Sequence, residues 1–342
     1  MKLLITGGSG FIGSNFIRYW LQTHPDDQIA NLDALTYAGN PANLADLTQN
    51  PNYSFVHGSI TDPEVVRQAM QGIDTVVHFA AESHVDNSIT NPLAFVQTNV
   101  LGTAVLLEVA RTAGVKHFHH VSTDEVFGTL QQTGQFNKTT PYDPRSPYSA
   151  SKAGSDHLVR AYYHTYGLPI TISNCSNNFG PYQFPEKFLP VMIINLLQGK
   201  KIPVYGDGSN IRDWLDVTDH VRGIEAVLQK GKAGETYLFG GGTELSNLQL
   251  AKKVVQLMGK AEDSIEFVTD RQGHDWRYAI DASESTKELG WKPAADFDTS
   301  LQQMIDWYKT NEKWWQEIQG RSSSARGGSL PTGKAGASGG KS

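Results

Sequence analysis

The 342-residue chain predicts an α/β fold: a doubly wound parallel sheet with a smaller mixed α/β lobe built over it. Three observations carry that expectation. Short, near-continuous apolar runs alternate with longer stretches of helical spacing through the first half of the chain, as strands buried on both faces of a parallel sheet require. A glycine-rich turn follows the first apolar run at once. After residue 174 the alternation loosens into a segment dense in turn formers.

Taken in order, the strand candidates are Lys2–Thr6, Gln28–Asp33, Tyr53–His57, 75–79, 117–122 and 169–174. Helical spacing is clearest over Pro92–Ala113 and Pro147–Tyr166. The turn-rich run Asn177-Asn178-Phe179-Gly180-Pro181-Tyr182-Gln183-Phe184-Pro185 feeds a helix over 186–198. The first domain is therefore expected over 1–174 and the smaller lobe mainly over 175–320. Trp214-Leu215-Asp216-Val217 is expected to return to the main sheet, so that residues from about 212 to 240 rejoin the first domain. Trp307, Tyr308, Trp314 and Trp315 are expected to pack a last helix. Residues 321–342 are rich in Gly, Ser, Ala and Lys and predict a flexible tail. Its closing residues, Ala335 to Ser342, fail as a phosphate-binding loop, because Ala335 stands where a glycine is needed.

Composition narrows the function. A net charge of −6 argues against nucleic-acid or anionic-membrane partners. One cysteine permits no internal disulfide or cysteine cluster, which fits a cytoplasmic protein. No uninterrupted apolar run reaches the ~20 residues that span a bilayer, and the N-terminus turns into glycines before a signal-peptide core could form.

Thr6-Gly7-Gly8-Ser9-Gly10-Phe11-Ile12-Gly13 joins a strand to a helix. Gly7, Gly10 and Gly13 have the spacing of a Rossmann-type dinucleotide turn: no Cβ in the bend, backbone close to a pyrophosphate, and a helix N-terminus aimed at the anion. Asp33 ends the next strand, twenty residues after Gly13. A carboxylate there accepts both hydroxyls of an adenosine ribose and repels a 2′-phosphate, so NAD is expected over NADP.

Tyr148 and Lys152 stand four apart and share a helix face. An ammonium near a phenol favours the phenolate, an accessible base. The fifth strand ends in Ser122-Thr123-Asp124-Glu125, at the sheet end where ligands bind, and two adjacent carboxyls can divide acid and base roles. His117, His119 and His120 crowd the same strand, His120 on the face opposite the other two. They are expected as packed, hydrogen-bonded residues, with no metal.

Thr6 to Gly13, Ala80-Ala81-Glu82-Ser83-His84-Val85-Asp86, Ser122-Thr123-Asp124-Glu125-Val126, Tyr148 to Lys152, Asn174-Cys175-Ser176-Asn177-Asn178, Phe184-Pro185-Glu186-Lys187, Arg212-Asp213-Trp214 and Gly273-His274-Asp275 recur in order. On these motifs residues 1–315 resemble the dTDP-glucose 4,6-dehydratases of the extended short-chain dehydrogenase/reductase class. The resemblance implies a dehydratase that oxidises the sugar at C4 with NAD⁺, eliminates water across C5 and C6, and returns hydride to C6. Tyr148, Lys152, Thr123, Asp124 and Glu125 would be catalytic: Tyr148, assisted by Lys152 and Thr123, takes the 4-OH proton, Glu125 works at C5, and Asp124 protonates the C6 hydroxyl. NAD would be held by Gly7, Gly10, Phe11, Ile12, Gly13, Asp33, Leu35, Thr36, Ser59, Ile60, Ala80, Ala81, Ser83, Thr98, Tyr148, Lys152 and Asn178. A nucleotide-diphosphate sugar would meet Ser83, Thr123, Asn177, Lys187, Pro203, Tyr205, Arg212, Asn247, Arg271 and His274. The resemblance also implies a homodimer built on the helices Pro92–Ala113 and Pro147–Tyr166, whose apolar residues Val105, Leu106, Leu107 and Val109 exceed one stripe.

Several positions depart from the family pattern: Ser59 for an adenine-contacting Asp, Asn87 for Arg, Gln272 and Trp276 for Pro and Arg, and Phe127 and Phe179 for tyrosines. They leave open UDP- or CDP-glucose as substrate. A nucleotide-sugar 4-epimerase has no use for the Asp124-Glu125 pair, and a non-catalytic NAD-binding protein has none for Tyr148 and Lys152.

Overall fold

A computed structural model describes residues 1–270 and 274–326, with side chains described as far as residue 320. The main sheet is parallel throughout and has seven strands: β1 (Lys2–Thr6), β2 (Gln28–Asp33), β3 (Tyr53–His57), β4 (Thr75–His78), β5 (His117–Thr123), β6 (Ile170–Cys175) and β10 (Thr236–Phe239). Their spatial order is β10-β6-β5-β4-β1-β2-β3. The expected strands are there, with ends moved by a residue or so.

Two helical layers cover this sheet. On one face lie α1 (Phe11–Thr23) and α8 (Val217–Lys230), which bury Phe16, Ile17, Trp20, Val221 and Ile224 against Leu3 and Ile5. On the other face α2 (Pro63–Ala69), α5 (Thr103–Ala113) and α6 (Pro147–Tyr166) bury Val66, Leu106, Leu107, Ala110 and Val159 against Leu4 and Val76. Being covered on both faces is why these strands read as continuous apolar runs. Truncating a fully buried leucine such as Leu107 to alanine costs about 2–5 kcal/mol.

The stretch Pro92–Ala113 is one helical run: α4 (Pro92–Phe95), a wider π-helical segment over Val96–Gly102, then α5. It follows α3 (Val85–Thr90). By length and apolar composition this run could cross a membrane, with a mean hydropathy of 1.5. The run therefore meets the bilayer length that the sequence reading denied to the chain, because a helix counts composition over a window, not an uninterrupted apolar string. One correction concerns the dimer face. Leu106, Leu107 and Val109 belong to the core, and the exposed apolar side chains of the run are Leu93, Val96 and Leu101.

α6 shows why this sequence starts and stops a helix. Ser146 and Ser149 form a reciprocal capping box, Pro147 sits in the first turn, and Gly167 closes the end at φ +70°.

The smaller lobe holds β7 (Asn177–Phe179), β9 (Ile211–Asp216) and β11 (Glu244–Ser246) in a three-stranded sheet, and β8 (Ile202–Tyr205) paired with β12 (Ile265–Val268). Around them pack α7 (Phe188–Leu197), α9 (Asn247–Leu257), α11 (Phe297–Thr310) and α12 (Glu312–Arg326). The short helix α10 (Ser283–Leu289) lies against β10. Trp214 to Asp216, expected in the main sheet, are instead in β9 between β7 and β11. The edge of β6 is taken by β10, with Thr236 opposite Ile172, so only α8 and β10 rejoin the main sheet from this part of the chain. Tyr308 on α11 and Trp315 on α12 are buried in the lobe's core, and Trp314 donates its indole N–H to Asn43 Oδ1 at 2.8 Å. The helix continues through residue 326 into what the composition marked as tail; residues 327–342 lie outside the described residues.

Candidate active site

The C-terminal ends of β1, β2, β4, β5 and β6 open into one cavity of about 330 Å³. Its glycine turn is built without room for side chains. Gly7 has φ +71°, and a Cβ there would lie 2.6 Å from Ala80 N. A Cβ on Gly13 would lie 2.4 Å from Gly7 O and 2.8 Å from Gly8 Cα. α1 begins after Gly10 with no side-chain cap, and Phe11, Ile12 and Gly13 line the cavity. Uncapped N–H groups and the positive helix end suit an anion there.

Asp33 is buried at the tip of β2. Its Oδ2 accepts from Ser9 N at 2.9 Å and its Oδ1 from Leu35 N at 2.8 Å. Burial, resisted by these two donors, raises its pKa. Each carboxylate oxygen keeps a lone pair for a further donor. The glycine cradle and this acceptor together fit a dinucleotide such as NAD. Thr36, Ser59, Ile60, Ala80, Ala81, Ser83 and Thr98 complete this part of the wall. Leu35 is outside the wall and serves through its backbone N–H. The Ser59 hydroxyl bonds Thr61 Oγ1 at 2.8 Å.

The deep end holds Thr123, Asp124, Glu125, Tyr148 and Lys152 together, as the sequence implied. Asp124 is 2% exposed; its Oδ1 accepts from Thr123 Oγ1 at 3.3 Å and its buried Oδ2 has no partner. Burial, then the charges of Glu125 and Asp213, push its pKa well above the carboxylate range, which favours the protonated acid. Tyr148 departs from expectation. Its phenol is pushed well above its ordinary value by burial first and by the Glu125 charge second, with only the Thr123 hydroxyl opposing among the leading causes. Lys152 Nζ donates to Val121 O at 2.8 Å, and burial lowers the pKa of its ammonium.

Asn177 and Asn178 enter from β7. The Asn177 Oδ1 is buried without a partner on the cavity wall. Asn178 is committed locally: Nδ2 donates to Cys175 Sγ and Ser176 O, and Oδ1 meets His220 Nδ1 at 2.8 Å. Cys175 is buried with its thiol pushed up by burial. At the mouth, Lys187 Nζ donates to Ser83 O at 2.9 Å.

Pro203, Tyr205, Arg212, Asn247 and His274 are not on this wall. Arg212 is buried and spends its guanidinium on Ile211 O and Asp275 O, stacked 4.3 Å over the Tyr278 ring, where its charge lowers the Asp124 pKa. His274 Nδ1 meets Asp270 Oδ1 at 2.8 Å and its ring lies edge-on to Tyr205. Arg271 lies outside the described residues. The strand histidines are hydrogen-bonded, His119 to Thr171 and Ser173, and no metal-binding group exists among the described residues.

Sequence reasoning missed several residues. Asn99 on the wide helical segment accepts from Glu82 N at 2.9 Å and donates to Glu82 O and Ser151 Oγ, which pins the 80–84 loop to α6. Tyr37 sits beside Ser83 with its phenol pushed up to about 12 by burial. Asp213, raised by burial to about 6, is held by the N–H groups of Gly241 and Thr243. Asp213 lies in the Arg212-Asp213-Trp214 motif, but nothing in the sequence brings its charge within the influence of Asp124.

Similar proteins share this architecture. A dTDP-glucose 4,6-dehydratase of Xanthomonas campestris pv. campestris is 51% identical over 92% of this chain and 95% of its own length. One of Mycobacterium tuberculosis is 50% identical over 93% and 96%. The crystal structure of DesIV, the dTDP-glucose 4,6-dehydratase of Streptomyces venezuelae with NAD and TYD bound, superposes with a TM-score of 0.91 at 48% identity, covering 93% of this chain and 100% of that one. A UDP-glucose 4-epimerase of Thermotoga maritima is more distant, at 27% identity and a TM-score of 0.85. The family described as GDP-mannose 4,6 dehydratase matches residues 4–304, and this chain belongs to it.

Proposed function

We propose that the chain is an NAD-dependent hydro-lyase that converts dTDP-glucose to dTDP-4-keto-6-deoxyglucose and water. The observation that carries this reading is Asp124: a buried carboxyl whose pKa burial and the Glu125 charge push upward, adjacent to Glu125 and in one cavity with Tyr148 and Lys152. An epimerase has no use for such an acid. The choice of dTDP rests on the relatives, which are named for dTDP-glucose.

The residue roles follow from position and protonation. NAD⁺, when bound, supplies a reversible hydride acceptor and a positive charge in the cavity. The Gly7–Gly13 turn and Asp33 would hold its pyrophosphate and adenosine ribose, and Asp33 would reject a 2′-phosphate. Tyr148 takes the proton of the 4-hydroxyl as C4 is oxidised, with Thr123 hydrogen-bonded to the phenolate. The 4-ketone acidifies the C5 hydrogen, which Glu125 removes. Asp124 gives its proton to the 6-hydroxyl, which leaves as water; the hydride taken from C4 is returned to C6 of the resulting enone, and Glu125 reprotonates C5. Asn177 and Lys187 at the cavity face the sugar and diphosphate. Pro203, Tyr205, Arg212, Asn247 and His274, outside the cavity wall, belong to a substrate-facing part of the smaller lobe.

A second copy of the chain is the partner for the exposed Leu93, Val96 and Leu101 on the Pro92–Ala113 run and for the adjoining α6, giving a cytoplasmic homodimer. The test of function is incubation with dTDP-, UDP- and CDP-glucose separately. Loss of one water from dTDP-glucose at the highest kcat/KM is expected. Preference for UDP- or CDP-glucose would reassign the base, and no dehydration of any would overturn the reading.

A further inference from the structure

Ser9 stands inside the glycine turn, between Gly7 and Gly13, and is 1% exposed. Its N–H donates to Asp33 Oδ2 at 2.9 Å, and its hydroxyl oxygen accepts from Asn31 Nδ2 at 3.2 Å. Its carbonyl accepts from Asn40 N at 3.0 Å and from Asn43 Nδ2 at 2.9 Å. The turn is thus fixed from behind, by β2 and by the short helical stretch Pro41–Leu47 with its cap Asn40.

Asn43 carries this support furthest across the fold. It is 1% exposed, and both ends of its amide are used. Nδ2 meets Ser9 O, and Oδ1 accepts the indole N–H of Trp314 at 2.8 Å, from α12, 271 residues further along the chain. An amide has a donor end and an acceptor end, whereas an indole N–H only donates. Trp314 therefore selects one orientation of the amide. Turned by 180°, the amide would set its NH2 against the indole N–H and its oxygen against Ser9 O, and both bonds would be lost. The indole is itself seated: it lies edge-on to Trp307 at 4.9 Å and to Tyr182 at 6.1 Å. Tyr182 is kept at φ +66°, a left-handed backbone that so bulky a residue rarely adopts. The guanidinium of Arg18, on α1, lies 4.9 Å from the centre of the Tyr182 ring, and its Nε donates to Asn43 O at 3.1 Å. Asn15, also on α1, donates to Pro181 O at 3.0 Å. The last helix, the 181–182 loop and the helix that opens at the glycine turn so meet around Asn43.

We propose that Asn43 and Trp314 are positioning residues of the cofactor site. The indole of the last helix orients the Asn43 amide, and the amide holds the Ser9 carbonyl and with it the turn that receives the pyrophosphate. NAD affinity is then set in part by a helix none of whose described residues lines the cavity. The proposal rests on NAD as the occupant of the turn and not on which nucleotide sugar is turned over.

Two measurements test this on Trp314→Phe, Asn43→Ala and the double variant. Phenylalanine keeps an aromatic ring beside Trp307 and Tyr182 but has no N–H to donate. The first measurement is hydrogen exchange of the full chain without nucleotide, read by mass spectrometry. It compares residues 6–13 with α5, on the opposite face of the sheet. Trp314→Phe is expected to quicken exchange over 6–13 and to leave α5 unchanged. Equal acceleration of both segments, or none over 6–13, overturns the proposal. The second is NAD affinity by equilibrium dialysis. One hydrogen bond is at stake, so Trp314→Phe is expected to weaken NAD binding about three- to tenfold, and Asn43→Ala at least as much. Because Trp314 acts through Asn43, adding Trp314→Phe to Asn43→Ala is expected to cost nothing further. Unchanged affinity in Trp314→Phe, or losses that add in the double variant, overturn it. Should Asn43→Ala fail to fold, Asn43→Asp replaces it, keeping the acceptor for the indole and losing the donor to Ser9. Asn43→Asp is expected to weaken NAD as well, and wild-type affinity there overturns the role of the amide. A wild type that binds no NAD would sink the cofactor reading, while the exchange measurement would still decide the coupling.

Discussion

Asp124→Asn separates the elimination from the oxidation. The wild-type carboxyl is 2% exposed and its pKa is pushed well above the ordinary range, burial first, so the amide replaces it with nearly the same shape. Asn can keep the Thr123 hydrogen bond through its Oδ1, so the fold should lose no more than about 1 kcal/mol. What is lost is an acidic proton. Loss of a positioned general acid costs about 10²- to 10⁴-fold, or about 2.7–5.4 kcal/mol of transition-state stabilisation. Oxidation at C4 uses Tyr148 and Lys152 and should survive. The assay is a single turnover with excess enzyme, quenched over time and read by mass spectrometry. The expected result is accumulation of a 4-keto sugar that still carries its 6-hydroxyl. Tyr148→Phe should show the opposite, with no 4-keto sugar at any time. Water loss at the wild-type rate in Asp124→Asn would refute the assignment and give the acid role to another group.

Three further outcomes follow from the same structure. Gly13→Ala drives a Cβ to within 2.4 Å of Gly7 O, so the turn must open; equilibrium dialysis should show NAD affinity reduced at least about tenfold, with a lower unfolding midpoint. His220 is fully buried and drawn from 6.5 to about 3 by burial. Its folded pKa lies below its unfolded one, so the unfolded chain binds more protons, and stability is full above pH 6.5 and falls as the pH drops toward 3. His220→Gln should flatten that acid slope in urea titrations from pH 7 to 4, and an unchanged slope would count against the burial argument. Leu101→Lys places a charge on an exposed apolar site of the proposed dimer face and should yield a monomer in sedimentation at micromolar concentration; a wild type already monomeric there would remove the dimer.

Much of this protein is legible in its sequence because the responsible physics is local. The strands of the main sheet read correctly because burial on both faces leaves an unbroken apolar run, as in Leu3, Leu4 and Ile5. The tight turn from Gly7 to Gly13 is legible because only glycine allows so close an approach. Tyr148 and Lys152 share a face because a helix repeats every 3.6 residues, and Asp33 reaches the same cavity because it ends the neighbouring strand.

The sequence could not determine what depends on contacts between distant segments. Trp214 to Asp216 have strand character, but which sheet they join was decided by β10 occupying the edge of β6. Leu106, Leu107 and Val109 look like spare apolar surface until the sheet and α2 cover them, which leaves Leu93, Val96 and Leu101 outside. Protonation states are the clearest case. Local spacing predicts that Lys152 lowers the Tyr148 phenol, yet burial and the charge of Glu125 raise it. The Asp124 pKa is raised by burial first, then by the charges of Glu125 and of Asp213, the last 89 residues away in sequence. A pKa is set by the dielectric and the charges around a group, and both exist only once the chain has folded.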